Sequence, residues 1–421
     1  MTGARLVRIA KGPIDARVRP PGSKSQTIRA LATAALAEGR SHLYGPLAAD
    51  DTGAMVRGLE ALGVGVQTGA DPWSVDGTGG HLRPRASLVD AGESALSARL
   101  LTAMAALGTG EVTVDGRESM KRRPMRGLVD ALGDWGIEVH SAGRVPVTVM
   151  GRGGVRGGPI RVDCTVTSQF ATALLVVSPM ASEPTELRID GLQGSKGYIN
   201  LTADVMRFFG AAVEPTITGY RVEPGGYRTA DFVVEADASA AVYPMLAAAI
   251  TGGRVEVQGL RADSGQPDIA VAGVLEEMGC RVDGTNTGLV MEGPADSLHP
   301  FRGDLSECPD GSLAIAVAAL FADGVSELRG LGSLRHKESD RIESMVVEMT
   351  GLGAEVTADD GTLRISPGTL RPGTIDPHGD HRIAMSLATI GLVVDGIEMA
   401  QPHVVEKTWP EFWTMLDRLS G

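Results

Sequence analysis

The sequence predicts an α/β protein built as two similar lobes, and three observations carry that expectation. One phrase recurs along the chain: an amphipathic helix end, a Gly, a small residue or two, then a β-branched strand. Its closing glycines fall about 70 residues apart, longer than a solenoid repeat and close to a small α/β unit. The final helix end has no strand of its own after it.

The copies are LEALGVGV from Leu59, LVDALGDWGIEV from Leu128, DVMRFFGAAVE from Asp204, VLEEMGCRV from Val274 and VEMTGLGAEV from Val347. The closing glycines are read as Gly65, Gly136, Gly210, Gly279 and Gly353, with Gly421 ending LDRLSG at a similar interval. Gly suits this place because it takes the left-handed conformation after a helix without a Cβ penalty. The last helix must then complete its unit with a strand from elsewhere. Segments 4–9 and 16–19 are the natural candidates, which puts both termini in one lobe. Six units group as three and three, with crossings near Pro20 and Ala236. Residues 1–19 with 236–421 make one lobe, and 20–235 an inserted second one. Small-molecule sites favour such junctions, so the active site is expected in the cleft between lobes.

Composition narrows the class further. With 43% hydrophobic and 22% charged residues the chain fits neither the disordered nor the membrane signature, and 56 Gly without a triplet period point to many tight connections. A formal charge of −13 argues against nucleic acid and anionic membranes as partners. An anionic small molecule remains compatible, because a local cluster of Arg and Lys fits inside an acidic protein. Cys164, Cys280 and Cys308 form no CxxC pair, which disfavours a disulfide framework or a zinc ribbon and suggests the reducing cytoplasm. The charged stretch MTGARLVRIAKGPID carries no apolar run of signal-peptide length, and no membrane span is expected.

Several segments offer groups for anions. Ser23-Lys24-Ser25-Gln26 with Arg29 opens an Ala/Leu-rich helix and supplies a Lys, hydroxyls and an Arg at a helix N-terminus. A Walker A loop is ruled out, since it needs adjacent Gly-Lys and an upstream Gly. Further on stand Arg122-Arg123-Pro124, Thr167-Ser168-Gln169 opening an apolar helix, and Ser195-Lys196-Gly197-Tyr198. Hydroxyls at chain turns suit a phosphate ester, which wants several donors. Near the end, Arg335 to Arg341 and His378 to Arg382 pack opposite charges closely, as exposed helices also do. His378 and His381 have metal-like spacing but no third clear ligand, so no metal is expected.

In this order the segments resemble the enolpyruvyl transferase family, and within it the branch that acts on shikimate 3-phosphate. The marks are PGSKS with Arg29, KRRP around Arg123, TSQ at Thr167, SKGYI at Ser195, PDG at Asp310, RHKESDR through Arg341, GDHR through Arg382 and KTWP from Lys407. The family that transfers the same group to UDP-N-acetylglucosamine is a poorer match: it carries Asn after the first Lys, where Ser25 stands, and usually a Cys in the loop at 115–121.

The resemblance implies lobes of three βαβαββ units each, an inside-out α/β barrel, with the site in the inter-lobe cleft and lobe closure on the first ligand. It implies transfer of an enolpyruvyl group from phosphoenolpyruvate to the 5-hydroxyl of shikimate 3-phosphate by addition and elimination, with no cofactor, in a cytoplasmic monomer of the shikimate pathway. By the same resemblance Lys24, Asp310 and Glu338 are the acid and base groups. Arg29 would hold the ring substrate's carboxylate; Thr167, Ser168, Ser195 and Lys337 its phosphate; and Ser25, Gln169 and Tyr198 the ring. Arg341, Arg382 and Lys407 would hold the phosphoenolpyruvate carboxylate, with Lys24 and Arg123 on its phosphate and Gln169 alongside.

One loop departs from the family pattern Gly-Asn-Ala/Ser-Gly-Thr. This chain reads Gly92-Glu93-Ser94-Ala95-Leu96-Ser97-Ala98-Arg99. Glu93 puts a carboxylate where a neutral amide is usual; Ala95 adds a methyl, and Leu96 removes a hydroxyl. A like charge about 4 Å from an incoming phosphate is worth ~4 kcal/mol at an effective dielectric of about 20, unless Arg99 or Arg123 neutralises it. Ala95 further implies weak inhibition by glyphosate. Ser333 likewise stands where Asn is usual. Two readings follow: a tolerated variant of the synthase, or a diverged paralogue that transfers enolpyruvyl to another cyclitol or eliminates water or phosphate from a shikimate-like ring.

Overall fold

Five helices of this protein end in the same way. In the computed structural model, which describes residues 3–192 and 194–421, the N–H of Val64, Ile137, Ala211, Cys280 and Ala354 each reaches back to a carbonyl in the last helical turn, of Leu59, Leu132, Met206, Leu275 and Met349, all at 3.0 Å. The residue before each is a Gly with φ of +96, +85, +86, +103 and +95°: Gly63, Gly136, Gly210, Gly279 and Gly353. This is the Schellman ending, in which a left-handed residue lets two orphan carbonyls be satisfied and an apolar residue beyond it packs back on the helix. In the first copy the turn is made by Gly63, which corrects the expected Gly65. Gly65 already lies in the strand Gly65–Gln67.

Each ending feeds a strand, and among the described residues the strands assemble into six small sheets with one plan. The sheet around Thr109–Asp115 shows it: that central strand pairs in parallel with Leu88–Asp90 and antiparallel with Val147–Arg152, which carries Glu138–His140 on its outer edge. The same order recurs around Thr185–Asp190, Ser326–Arg329 and Arg254–Gln258. Around Ala37–Tyr44 the parallel partners come from far along the chain, as Tyr227–Arg228 and Asp231–Val233. The last sheet has three strands, with Gly373–Ile375 parallel to Ile397–Met399 and Arg5–Leu6 antiparallel to it.

The two N-terminal strands therefore serve different sheets. Arg5–Leu6 completes the last unit, as expected for the segment at 4–9. Asp15–Val18 does not: it is the parallel edge of the sheet around Arg254–Gln258, with Asp15 opposite Arg254 and Val18 opposite Val257. Periodicity marks a strand but says nothing of its partner, so the expectation that both complete one unit is corrected.

The chain divides into two compact units, Gly22–Val234 and Met1–Pro21 with Glu235–Gly421. Each has its own apolar core: Leu31, Leu101, Leu174 and Met206 lie in the first, and Leu246, Leu313, Ile342 and Leu387 in the second, all fully buried. Helices rich in Ala, such as Lys24–Leu36 and Ala238–Thr251, fill these interiors because small side chains let helices approach one another closely. Among the described residues no helix is long and apolar enough to cross a membrane.

Candidate active site

The residues singled out from the sequence fall into two groups, one on each unit. On Gly22–Val234 they stand at the starts of helices Lys24–Leu36, Gln169–Val177 and Lys196–Phe208. Ser23 caps the first, its hydroxyl accepting the Gln26 N–H at 3.3 Å, and so fixes where Lys24 and Ser25 emerge. The Thr167 hydroxyl accepts the Gln169 N–H at 3.3 Å, and Ser168 is buried at the head of the second helix. Ser195 has a left-handed backbone, φ 58°, just before the third.

Arg29 joins these helices. It is 1% exposed and donates to Thr202 Oγ1 at 2.8 Å, the Ser25 carbonyl at 3.0 Å and the Tyr198 carbonyl at 3.1 Å. All three acceptors are neutral. Burial pushes its pKa down to about 10, and only Tyr198 opposes that electrostatically. Among the described residues no carboxylate pairs with Arg29, and a buried charge left so is costly to keep.

Lys24 Nζ lies 3.2 Å from Asp51 Oδ2. Arg99, 4% exposed and set over the Phe170 ring at 5.0 Å, donates to Gln169 Oε1 and, at 2.9 Å, to the Pro124 carbonyl, which follows Arg123. Arg123 itself is buried. In the departing loop, the Ser119 hydroxyl donates to the Glu93 carboxylate, tying the loop to helix Glu118–Arg122. Ala95 opens helix Ala95–Ala105, where Leu96 is buried apolar surface.

The second group surrounds Arg341, also 1% exposed. Its Nε donates to Asp380 at 2.7 Å, Nη1 to Asp310 at 2.8 Å, and Nη2 to Glu338 at 3.0 Å and Asp380 at 3.2 Å. Four of a guanidinium's five N–H groups are thus committed to carboxylates. Burial works against the charge, but Asp380, Glu338 and Asp310 outweigh it and hold the pKa above the usual arginine value. Asp310 also takes Lys337 at 3.2 Å and Arg382 at 3.0 Å, and Glu338 takes Lys407 at 3.1 Å. Asp380 caps helix His381–Ala388, accepting the Arg382 N–H at 2.9 Å, so one acid orients both arginines. His378 turns elsewhere, to Glu348 at 2.8 Å.

Asp310, Glu338, Lys337, Arg341, Arg382 and Lys407 therefore form one connected network, and Lys24, Ser25, Arg29, Gln169 and Tyr198 stand on adjoining helix starts. Sequence reading gave no role to Asp51, Asp268 and Asp380, the buried acids behind the cations. Their signals were faint: Asp51 in the first turn of helix Asp50–Ala61, Asp380 inside GDHR.

Comparison with known proteins speaks to the family and the fold. The family model for EPSP synthase (3-phosphoshikimate 1-carboxyvinyltransferase) matches residues 9–416. Proteins named 3-phosphoshikimate 1-carboxyvinyltransferase are similar to the chain at 38% identity: that of Methanosphaerula palustris over 413 residues, 96% of this chain and 97% of its own, and that of Methanoculleus marisnigri over 418 residues, 98% of each. Among solved structures, an EPSP synthase from Acinetobacter baumannii is similar with a TM-score of 0.84 at 24% identity, covering 100% of this chain and 98% of its own. The enolpyruvyl transferase NikO from Streptomyces tendae follows with a TM-score of 0.79 at 19% identity, covering 99% and 97%. These two likenesses speak for the two-lobe α/β fold. With the family model and the relatives spanning nearly its whole length, the chain belongs to the EPSP synthase family.

Proposed function

We propose that the protein transfers the enolpyruvyl group of phosphoenolpyruvate to the 5-hydroxyl of shikimate 3-phosphate and releases phosphate. The observation that carries this reading is the network, built around the buried Arg341 and Arg382, in which these two arginines, Lys337 and Lys407 converge on Asp310 and Glu338. Cations locked to acids inside a protein are costly to assemble and weak as sources of stability, so a functional reason for them is the economical one.

In the reaction, a proton adds to the methylene carbon of phosphoenolpyruvate, and the ring oxygen attacks the neighbouring carbon as its own proton leaves. The resulting tetrahedral phospho-ketal then loses phosphate and a methyl proton, restoring the double bond. Asp310 takes the hydroxyl proton, while Glu338 and Lys24 manage the protons on the pyruvyl side; such paired acid and base groups contribute about 10²–10⁴-fold each in rate. No step calls for a cofactor.

Arg341, Arg382 and Lys407 hold the phosphoenolpyruvate carboxylate, and Lys24, Arg123 and Gln169 contact the same substrate, the first two at its phosphate. Arg341 has a single N–H left over from the network, so the substrate carboxylate takes donors that Asp310 and Glu338 now occupy, freeing those acids for proton transfer. Arg29 takes the ring carboxylate, Thr167, Ser168, Ser195 and Lys337 the ring phosphate, and Ser25, Gln169 and Tyr198 the ring. The identity to the named relatives over nearly the whole chain weighs against the diverged paralogue. We also propose a cytoplasmic monomer with no nucleic-acid partner, in keeping with the charge of −13. Steady-state phosphate release tests the reaction: it must require both substrates, and release from the ring substrate alone refutes the reading.

A further inference from the structure

Asp268 is a buried acid that the reaction above does not use. It is 1% exposed. Its Oδ1 accepts the Gly311 N–H at 3.2 Å, and its Oδ2 accepts the Ser239 hydroxyl. Gly311 directly follows Asp310; the Ser239 carbonyl accepts Arg382 Nη1 at 3.4 Å. One carboxylate thus ties down both the loop that presents Asp310 and the backbone on which Arg382 rests.

The packing is built for that contact. A Cβ added to Gly311 would come within 2.4 Å of Val271 Cγ2 and 3.4 Å of Asp268 Oδ1, so only Gly lets the backbone sit this close. Burial and then the Asp310 charge push the Asp268 carboxyl above its ordinary range, while Arg382, the Ser239 hydroxyl and the Gly311 N–H pull the other way. An acid held in place against burial and a like charge is expensive to keep as mere filling.

We propose that Asp268 is a positioning residue, which fixes Asp310 against the attacking hydroxyl and Arg382 against the substrate carboxylate by holding Gly311 and Ser239. The proposal rests on the reaction assigned above. Its test is kcat, KM for each substrate and thermal unfolding of the full-length parent, D268A and D268N, with shikimate 3-phosphate and phosphoenolpyruvate. Loss of both anchors in D268A should lower kcat about 100-fold with KM for the ring substrate within about 3-fold, the scale of a small misplacement of a reacting group. D268N keeps an oxygen for the Gly311 N–H and should recover kcat to within about 10-fold of the parent.

If D268A does not fold, S239A cuts only the Arg382 arm and should raise KM for phosphoenolpyruvate about 5-fold while leaving that for the ring substrate unchanged. An inactive parent removes the assigned reaction and the proposal with it. An active parent overturns the proposal alone if D268A keeps its kcat, if D268N loses as much as D268A, or if S239A leaves KM for phosphoenolpyruvate unchanged.

Discussion

Replacing Arg29 with Met should make the ligand-free protein more stable and the ring substrate unable to stabilise it. The pKa of Arg29 is lowered from 12.5 to about 10 by burial. At 1.36 kcal/mol per pKa unit, keeping it charged costs the folded state roughly 3 kcal/mol. The sign follows from linkage: a cation whose folded pKa is depressed carries its full penalty below the folded pKa, and the penalty fades only as pH rises from about 10 towards 12.5. At neutral pH it is entirely present.

Met has similar reach and no charge. It forfeits three hydrogen bonds, but the Tyr198 carbonyl keeps the Thr202 hydroxyl at 2.8 Å, and Thr202 keeps Thr172 at 3.0 Å. Taking about 1 kcal/mol from the gain for the lost bonds leaves ~2 kcal/mol, or about 4–8 °C in Tm for a unit of this size. The assay is scanning calorimetry of parent and R29M, with and without shikimate 3-phosphate at about 100 times the parent Kd, where the parent gains ~2.7 kcal/mol. An R29M protein that melts below the parent, or that still gains the full ligand shift, would refute the reasoning.

Glu93 sets a second expectation: E93Q removes a like charge from the loop that the resemblance sets beside the phosphoenolpyruvate phosphate while keeping an acceptor for Ser119, so KM for phosphoenolpyruvate should fall about 3–10-fold with no change for the ring substrate, as measured by steady-state kinetics. Two helix-ending glycines should separate strain from clash. At Gly136 a Cβ meets nothing within 4 Å, so G136A costs about 1 kcal/mol for its positive φ; at Gly63 the Cβ falls 2.3 Å from the Arg83 carbonyl oxygen, so G63A costs about 2–4 kcal/mol, both read by urea unfolding. Burial pushes the thiols of Cys164, Cys280 and Cys308 up to about 12, so native protein at pH 8 should resist iodoacetamide for hours, while protein in guanidinium takes up three labels by mass.

What was legible in the sequence, and what was not, divides along physical lines. Helix ends were legible because a left-handed turn leaves a Gly in the sequence; in LGVGV two glycines compete, and only the backbone angle assigns the turn to Gly63. Strand pairing was less so, since Asp15–Val18 meets a strand more than 200 residues away. The cations of the site stood out by charge and motif. Their buried acids did not, because an Asp at the head of a helix reads as an ordinary cap until Arg341 or Lys24 is seen against it. Glu93 read as a like charge for Arg99 or Arg123 to neutralise, and the structure shows it a hydroxyl partner as well, Ser119.

The central claim is the group transferred, and a single-turnover quench followed by mass spectrometry of the ring product tests it most directly. With shikimate 3-phosphate and phosphoenolpyruvate together, the ring should gain one carboxyvinyl group for each phosphate released, and with phosphoenolpyruvate omitted it should remain unchanged. A ring that loses water or phosphate without phosphoenolpyruvate, or one that gains no carboxyvinyl mass with it, would contradict the account.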